Sequence, residues 1–208
     1  MSGGRRVEIR RQDRLLDDFF KVDEVVVAHQ RHDGRMSADE RRLVFERGDA
    51  IAVLLFDVDA RSVILVEQFR LPALIARRRD NASTTNGWMT ELVAGMIDAD
   101  ETPEQAAIRE TFEETGYRIV EPRRIGQFFS SPGGSSERFT LYFAPVSEAQ
   151  RGGNGGGVAG EEDIRVFRSG VEQLFARLAQ GAIDDPKLAI AAYWLKDNIH
   201  NLERATLK

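Results

Sequence analysis

The chain has 208 residues, 42% hydrophobic and 30% charged, with a formal net charge of -5 and no cysteine. That length supports one sizeable core with an added subdomain, and the missing cysteines exclude a disulfide scaffold and thiolate chemistry, in keeping with a reducing cytoplasm. The acidic balance argues against general nucleic-acid affinity, and no apolar run approaches the roughly 20 residues of a membrane helix, so neither export nor insertion is expected.

Residues 1 to 6 read as a frayed tail. Val7 to Gln30 carries two β-favouring stretches centred on Phe19-Phe20 and Val25-Val26-Val27, His32 to Arg35 a hairpin turn, and Arg41 to Arg47 a returning strand. Such a layer cannot hold a core alone, so residues 1–48 are expected to pack on the main domain, residues 49–208, or on a second subunit. Ala50 to Phe56 and Ser62 to Phe69 predict paired strands around a turn at Asp57 to Arg61. Leu71 to Thr90 reads as a long, partly mobile loop whose Arg77-Arg78-Arg79 is either a solvated surface or an attractor for an anionic substrate.

A helix is predicted over Pro103 to Thr115, with Thr102 and Gln105 as capping box, Pro103 at its first position and Gly116 as its stop. At about 100° per residue, Ile108, Thr111, Phe112 and Thr115 share one face, while Arg109, Glu110, Glu113 and Glu114 lie opposite. The three glutamates repel one another by roughly 0.2–0.5 kcal/mol per pair, and the helix dipole disfavours carboxylates in the last turn. Two readings follow: a solvated acidic face, or a site where a divalent cation relieves the repulsion. Oxygen ligands without Cys or His favour Mg²⁺ or Mn²⁺ over zinc.

Strand regions are expected at Arg118 to Ser130 and Phe139 to Val146, on either side of a segment reading SPGGSSER. Arg151 to Gly160 is too glycine-rich to prefer one path and lacks the Lys-Ser/Thr pair of a P-loop, which leaves a mobile lid or a plain linker. Glu161 to Phe167 leads into a strand, Ser169 and Glu172 suggest a second capping box for a helix ending at Gly181, and Asp185-Pro186 opens a last helix with Ile190, Tyr193 and Trp194 on one face.

Gly95, five residues, Glu101, seven residues, then Arg109-Glu110-Thr-Phe-Glu113-Glu114-Thr-Gly116-Tyr117 resembles the Nudix box, with Thr111 standing where that family usually has an aliphatic residue. Phe19-Phe20, Gly34 to Ser37, Phe45 to Gly48, Glu67 to Arg70, Val93 to Ile97, SPGGSSER and EEDIRV follow the order of the ADP-ribose pyrophosphatase branch, which is related to GDP-mannose hydrolases. The resemblance implies an α/β/α sandwich around a mixed sheet, an N-terminal antiparallel β layer often exchanged between subunits, and hence a homodimer. It implies Mg²⁺-dependent hydrolysis of a nucleoside diphosphate sugar.

By matching position, the resemblance makes Glu110 and Glu114 the main metal ligands, with Glu113, Glu162 and the carbonyl of Ala94 completing the set. Glu114 and Arg109 belong to the catalytic group, Arg109 as the ion-pair partner of Glu101 rather than as a reacting group. Phe19, or its neighbour Phe20, would stack on the base; Arg42 and Arg70 would meet phosphate or ribose, and Glu137 would accept hydroxyl hydrogen bonds. Gly160 stands where these enzymes carry a general-base glutamate, so the base is expected one residue on, at Glu161. Three functions fit: an ADP-ribose pyrophosphatase, a hydrolase of another nucleotide sugar such as GDP-mannose, and a sensor that binds such a ligand without cleaving it.

Overall fold

A computed structural model describes residues 4–79, 86–158 and 162–206. The chain divides into two compact units, residues 1–49 with 128–139, and residues 50–127 with 140–208. Each is an assembly of strands, and the second also carries the helices.

In the first unit, β1 (Val7–Asp17), β2 (Lys21–His29) and β3 (Glu40–Glu46) form an antiparallel sheet with β2 central. Arg14 pairs with the buried Asp23, while Glu24 bridges Arg11 and Arg41, so cross-strand charges fix the register where apolar alternation is weak. Arg138 pairs with Asp49, and Ser136 bonds Glu46.

The second unit is built on a mixed sheet. Among the described residues its path is β10 (Ile164–Gly170), β5 (Ser62–Phe69), β4 (Ala50–Asp57), β9 (Arg138–Pro145) and β8 (Arg123–Phe129), with β6 (Trp88–Glu91) on β5 and β7 (Val93–Met96) on β4. Every residue of β4 is buried, which requires cover on both faces. Ile51, Val53 and Leu55 pack with Ala106 and Ala107 of α2 (Pro103–Thr115), on the face that also takes Tyr142 and Ala144. On the other face Phe143 meets Trp194 of α4 (Pro186–Thr206), beside α3 (Val171–Ala179).

Four local expectations are corrected. Leu71 to Thr90 is not one loop: α1 (Leu71–Arg78) starts with Pro72 in its first turn, and β6 follows at Trp88. Arg77 is tied to the carbonyls of Asn86 and Trp88 and to Asp184, so it is not a free surface charge. The capping box at Ser169 does not form, because Ser169 stays in β10 opposite Val63 and Gly170 is the N-cap of α3. The core face of α4 is Leu188, Ala191, Ala192, Leu195 and Ile199 rather than the Tyr193 face, and Tyr193 is exposed. Ile190 and Trp194 of the expected face are partly buried, Trp194 against Phe143, while the small alanines admit the close approach to the sheet.

Candidate active site

Helix α2 forms where its sequence signals place it. Thr102 accepts from the Gln105 amide, Gln105 reaches back to the Thr102 amide, and Gly116 closes the helix at φ 74°. Thr111 and Thr115 are fully buried, and each hydroxyl donates to the carbonyl four residues earlier, at 2.6 and 2.5 Å. That back-bonding explains how a threonine serves at a position suited to an aliphatic residue.

The helix carries two electrostatic environments. At its middle Arg109 makes a two-pronged pair with Glu101, 3.0 and 2.8 Å, and also bonds Glu110 at 2.8 Å, Glu113 at 3.0 Å and the carbonyl of Met96 at 3.2 Å. The planar fork suits this role, and the bond to Arg109 holds the Glu101 carboxyl below the usual carboxylate range. The predicted pairing of Arg109 with Glu101 is present and extends to two of the three box glutamates.

Glu114 differs. It is 3% exposed, and its Oε2 is buried without a hydrogen-bond partner among the described residues. The simple two-face projection had put it opposite the core, yet at about 100° per residue it lies only about 60° from Thr111, near enough to be swallowed when α2 settles on β7 and β4. Burial pushes the Glu114 carboxyl well up, and the charges of Glu110 and Glu162 add to this; a backbone hydrogen bond from Ala94 and the charge of Arg70 pull the other way. Glu110 is raised as well, by burial first and against the pull of Arg109.

Strand β7 brings Ala94 opposite Ala52 and leaves Gly95 under Glu110. A Cβ on Gly95 would lie 1.9 Å from Glu110 Oε1, so the glycine is the space that the carboxylate occupies. Arg70, at the end of β5, is held by the buried Glu91 of β6 through bonds of 3.1 and 2.7 Å. Desolvation lowers the Arg70 pKa, but Glu91, Glu114 and Glu162 outweigh it and raise the value overall, which places this guanidinium within the field of the acidic site. Glu91 was missed in the sequence. Its signal was a lone carboxylate in the apolar run Thr90 to Ala94, where a buried charge needs a partner.

The glycine-rich segment is neither lid nor linker over its described part. Gly152 N–H donates to the Gly116 carbonyl at 2.8 Å, Gly156 to that of Glu114 at 2.8 Å and Gly157 to that of Glu113 at 3.1 Å. It thus supplies donors to the end of α2, whose last carbonyls have no partner within the helix. Glu162 Oε2 accepts from Val158 N–H at 3.1 Å. Glu161 and Gly160 lie outside the described residues.

In the first unit, Phe19 is 81% exposed and meets Phe20 edge-on at 4.8 Å, which removes core packing as its role. Arg42 is exposed and paired with Glu40, and Glu137 is partly buried with its amide bonded to Ser135 at 3.1 Å.

The donor set suits a hard cation. Glu110, Glu114 and Glu162 offer oxygens only, two of them are penalised as anions, and Glu114 Oε2 has no partner among the described residues. Among the described residues no three acidic or imidazole groups already converge as a closed cage. Mg²⁺ needs none, since it keeps several waters and takes one or two carboxylates together with substrate phosphates.

The chain is 36% identical to an ADP-ribose pyrophosphatase of Escherichia coli K12 over 93% of its own length and 90% of the relative's. It is 33% identical to a GDP-mannose pyrophosphatase of Cronobacter sakazakii, over 88% and 92%, and 33% identical to an ADP-ribose pyrophosphatase of Haemophilus influenzae, over 96% and 90%. The family model for the NUDIX domain matches residues 46–188, the stretch that holds α2, Arg70, Glu91 and Glu162, and the chain belongs to the Nudix family.

Proposed function

We propose that this Nudix pyrophosphohydrolase cleaves the diphosphate of ADP-ribose, giving AMP and ribose 5-phosphate, with Mg²⁺ as its metal and Mn²⁺ as a substitute. The observation that carries the reading is Glu114: a carboxylate 3% exposed, with one oxygen unpartnered among the described residues and two further carboxylates acting on it, in a chain related to ADP-ribose pyrophosphatases along most of its length. A pure binding protein gains nothing from keeping such a cluster.

In this reading Glu110, Glu114 and Glu162 hold the cation, with Glu113 as helper and the Ala94 carbonyl completing the set. A bound Mg²⁺ supplies Lewis acidity and the positive charge that lets a diphosphate enter an acidic site. Arg109, gripping Glu101, Glu110 and Glu113 together, fixes the direction of the box carboxylates. Arg70, braced by Glu91, carries a fixed positive charge for a phosphate oxygen. The base that takes the proton from the attacking water is Glu161; its replacement by Gln is expected to cost about 10²–10⁴-fold in turnover, and turnover within a fewfold of wild type sinks the assignment. In the first unit, Phe19 offers an exposed ring for the base, Arg42 a cation, and Glu137 an acceptor.

GDP-mannose is the second reading, supported by the relative from Cronobacter sakazakii. Incubation with Mg²⁺ and equal amounts of ADP-ribose and GDP-mannose, followed by chromatography of AMP and GMP, ranks the two. Excess GMP overturns the first choice; binding without any nucleotide product leaves a sensor.

We also propose a cytoplasmic homodimer. Val7, Ile9, Leu15 and Leu16 of β1 are exposed apolar side chains that a second copy would cover, and no helix among the described residues is long and apolar enough to cross a membrane. A fully active monomer at micromolar concentration in sedimentation counts against the dimer.

A further inference from the structure

We infer that Gly157 is a positioning residue for Glu162: the glycine-rich segment, clamped to the end of α2, sets where the Glu162 carboxylate stands relative to Glu110 and Glu114. The inference rests on the reading of Glu162 as part of the cation site.

Three features make the segment a template. Gly155, Gly156 and Gly157 all have positive φ, at 69°, 107° and 80°, so the path is one that side-chain-bearing residues rarely follow. The amides of Gly156 and Gly157 bind the carbonyls of Glu114 and Glu113, two of the box glutamates themselves. Glu162 is then drawn back onto the segment by two bonds with Val158: its amide donates to the Val158 carbonyl at 3.1 Å, and its carboxylate accepts from the Val158 amide at 3.1 Å. The spacing between the helix carboxylates and Glu162 is therefore carried by backbone hydrogen bonds.

The glycines along this path are not equivalent. A Cβ on Gly157 would stand 2.3 Å from Glu162 Oε2 and 2.7 Å from Glu162 Cβ, so a methyl group there evicts that carboxylate. A Cβ on Gly156 would meet nothing nearer than the Ile164 carbonyl at 3.9 Å, so alanine there brings the backbone strain without the collision. On Gly153 it would make only ordinary contacts from 3.6 Å, at an unstrained φ. The chain thus provides a strained control and an unstrained one.

The test uses the full chain without substrate and Mn²⁺ itself as probe, with free Mn²⁺ followed by electron paramagnetic resonance and folding checked by thermal melting. Gly153→Ala is expected to bind like wild type and Gly156→Ala to stay within about threefold. Gly157→Ala and Glu162→Gln are each expected to lose about 10-fold or more, the usual cost of disturbing the surroundings of a ligand. Because Gly157 acts through Glu162, the double variant should bind no worse than Glu162→Gln alone. If Glu162→Gln weakens binding while Gly157→Ala behaves like Gly156→Ala, the positioning role is overturned and the cation site stands. If Glu162→Gln changes nothing, the cation-site reading of Glu162 fails and the inference fails with it. Should Gly157→Ala not fold, Val158→Pro removes the N–H donated to Glu162 and must give the same loss; normal affinity there also overturns the proposal.

Discussion

Helix α2 and the glycine-rich segment after η1 (Glu148–Gln150) meet at one end of the site but reach it by opposite routes. The helix is locally specified: its cap, first-turn proline, terminal glycine and Arg109 contacts all follow from short spacings in the chain. Residues 151–158 have no such preference, and their path is set by the carbonyls and side chains they touch. A charge announces its chemistry by type and spacing. A glycine announces only that a side chain is missing, and the reason appears when another part of the molecule fills that space.

The largest expected effect tests the buried carboxylate of Glu114. Glu114→Gln should lower hydrolysis by about 10²–10³-fold, the scale of losing one well-placed electrostatic group, while raising the stability of the metal-free protein by about 1 kcal/mol, or roughly 2–4 °C. Activity assays and melts in chelator check both signs, and an active variant breaks the distinction between Glu114 and its neighbours. Next comes the clamp. Gly155→Ala places a Cβ 2.4 Å from the Glu114 carbonyl at φ 69°, and a loss of about 2 kcal/mol or more is expected in denaturant titration, against roughly 0.5 kcal/mol at most for Gly153→Ala. Equal stabilities would mean the segment is not docked in solution. Arg109→Met should cost about 1–2 kcal/mol, discounted because the guanidinium is partly exposed, since Glu101, Glu110 and Glu113 lose their common counter-charge.

A pH titration sharpens the same contrast. The folded-state pKa of Glu114 lies above its ordinary value of 4.5, so the native state binds the proton more tightly than the unfolded chain. Stability from this group is present below about pH 4.5 and is lost as pH rises through the interval up to the raised value. Glu101, lowered by Arg109, has the opposite sign: its contribution is present above its unfolded value and is lost as pH falls through the lowered one. The stability advantage of Glu114→Gln in chelator should therefore be absent near pH 4 and grow from pH 4.5 upward. A constant difference between the two proteins across that range would show that Glu114 does not titrate in this way. The smallest effect belongs to the best-specified feature: Thr102→Ala should remove about 1 kcal/mol in thermal or denaturant melts by opening the capping box.

Features set by local signals are legible in the sequence, and features set by burial are not. The β4 and β5 pairing and both ends of α2 are legible because alternation, caps and turn residues act over a few positions. Helix α1 was hidden in a stretch dominated by its arginines, one of which, Arg77, proves to be bonded to backbone carbonyls. Ser169 and Glu172 satisfied the spacing of a capping box, yet pairing of β10 with β5 held Ser169 in the strand. Tyr193 has the bulk expected of a core residue, but Ala191 and Ala192 let α4 approach the sheet on another face.

By itself the sequence determined the box: the cap and stop of α2, the cluster of Arg109, Glu110, Glu113 and Glu114, and the oxygen-only character of any cation site there. These follow from residue type and helical spacing. Tertiary structure alone decided that Glu114 is sealed with an oxygen unpartnered among the described residues, that Glu91 braces Arg70, and that the glycine run is a clamp. Each of these depends on desolvation or close approach between residues distant in the chain, and neither quantity is defined until the sheet and helix have packed.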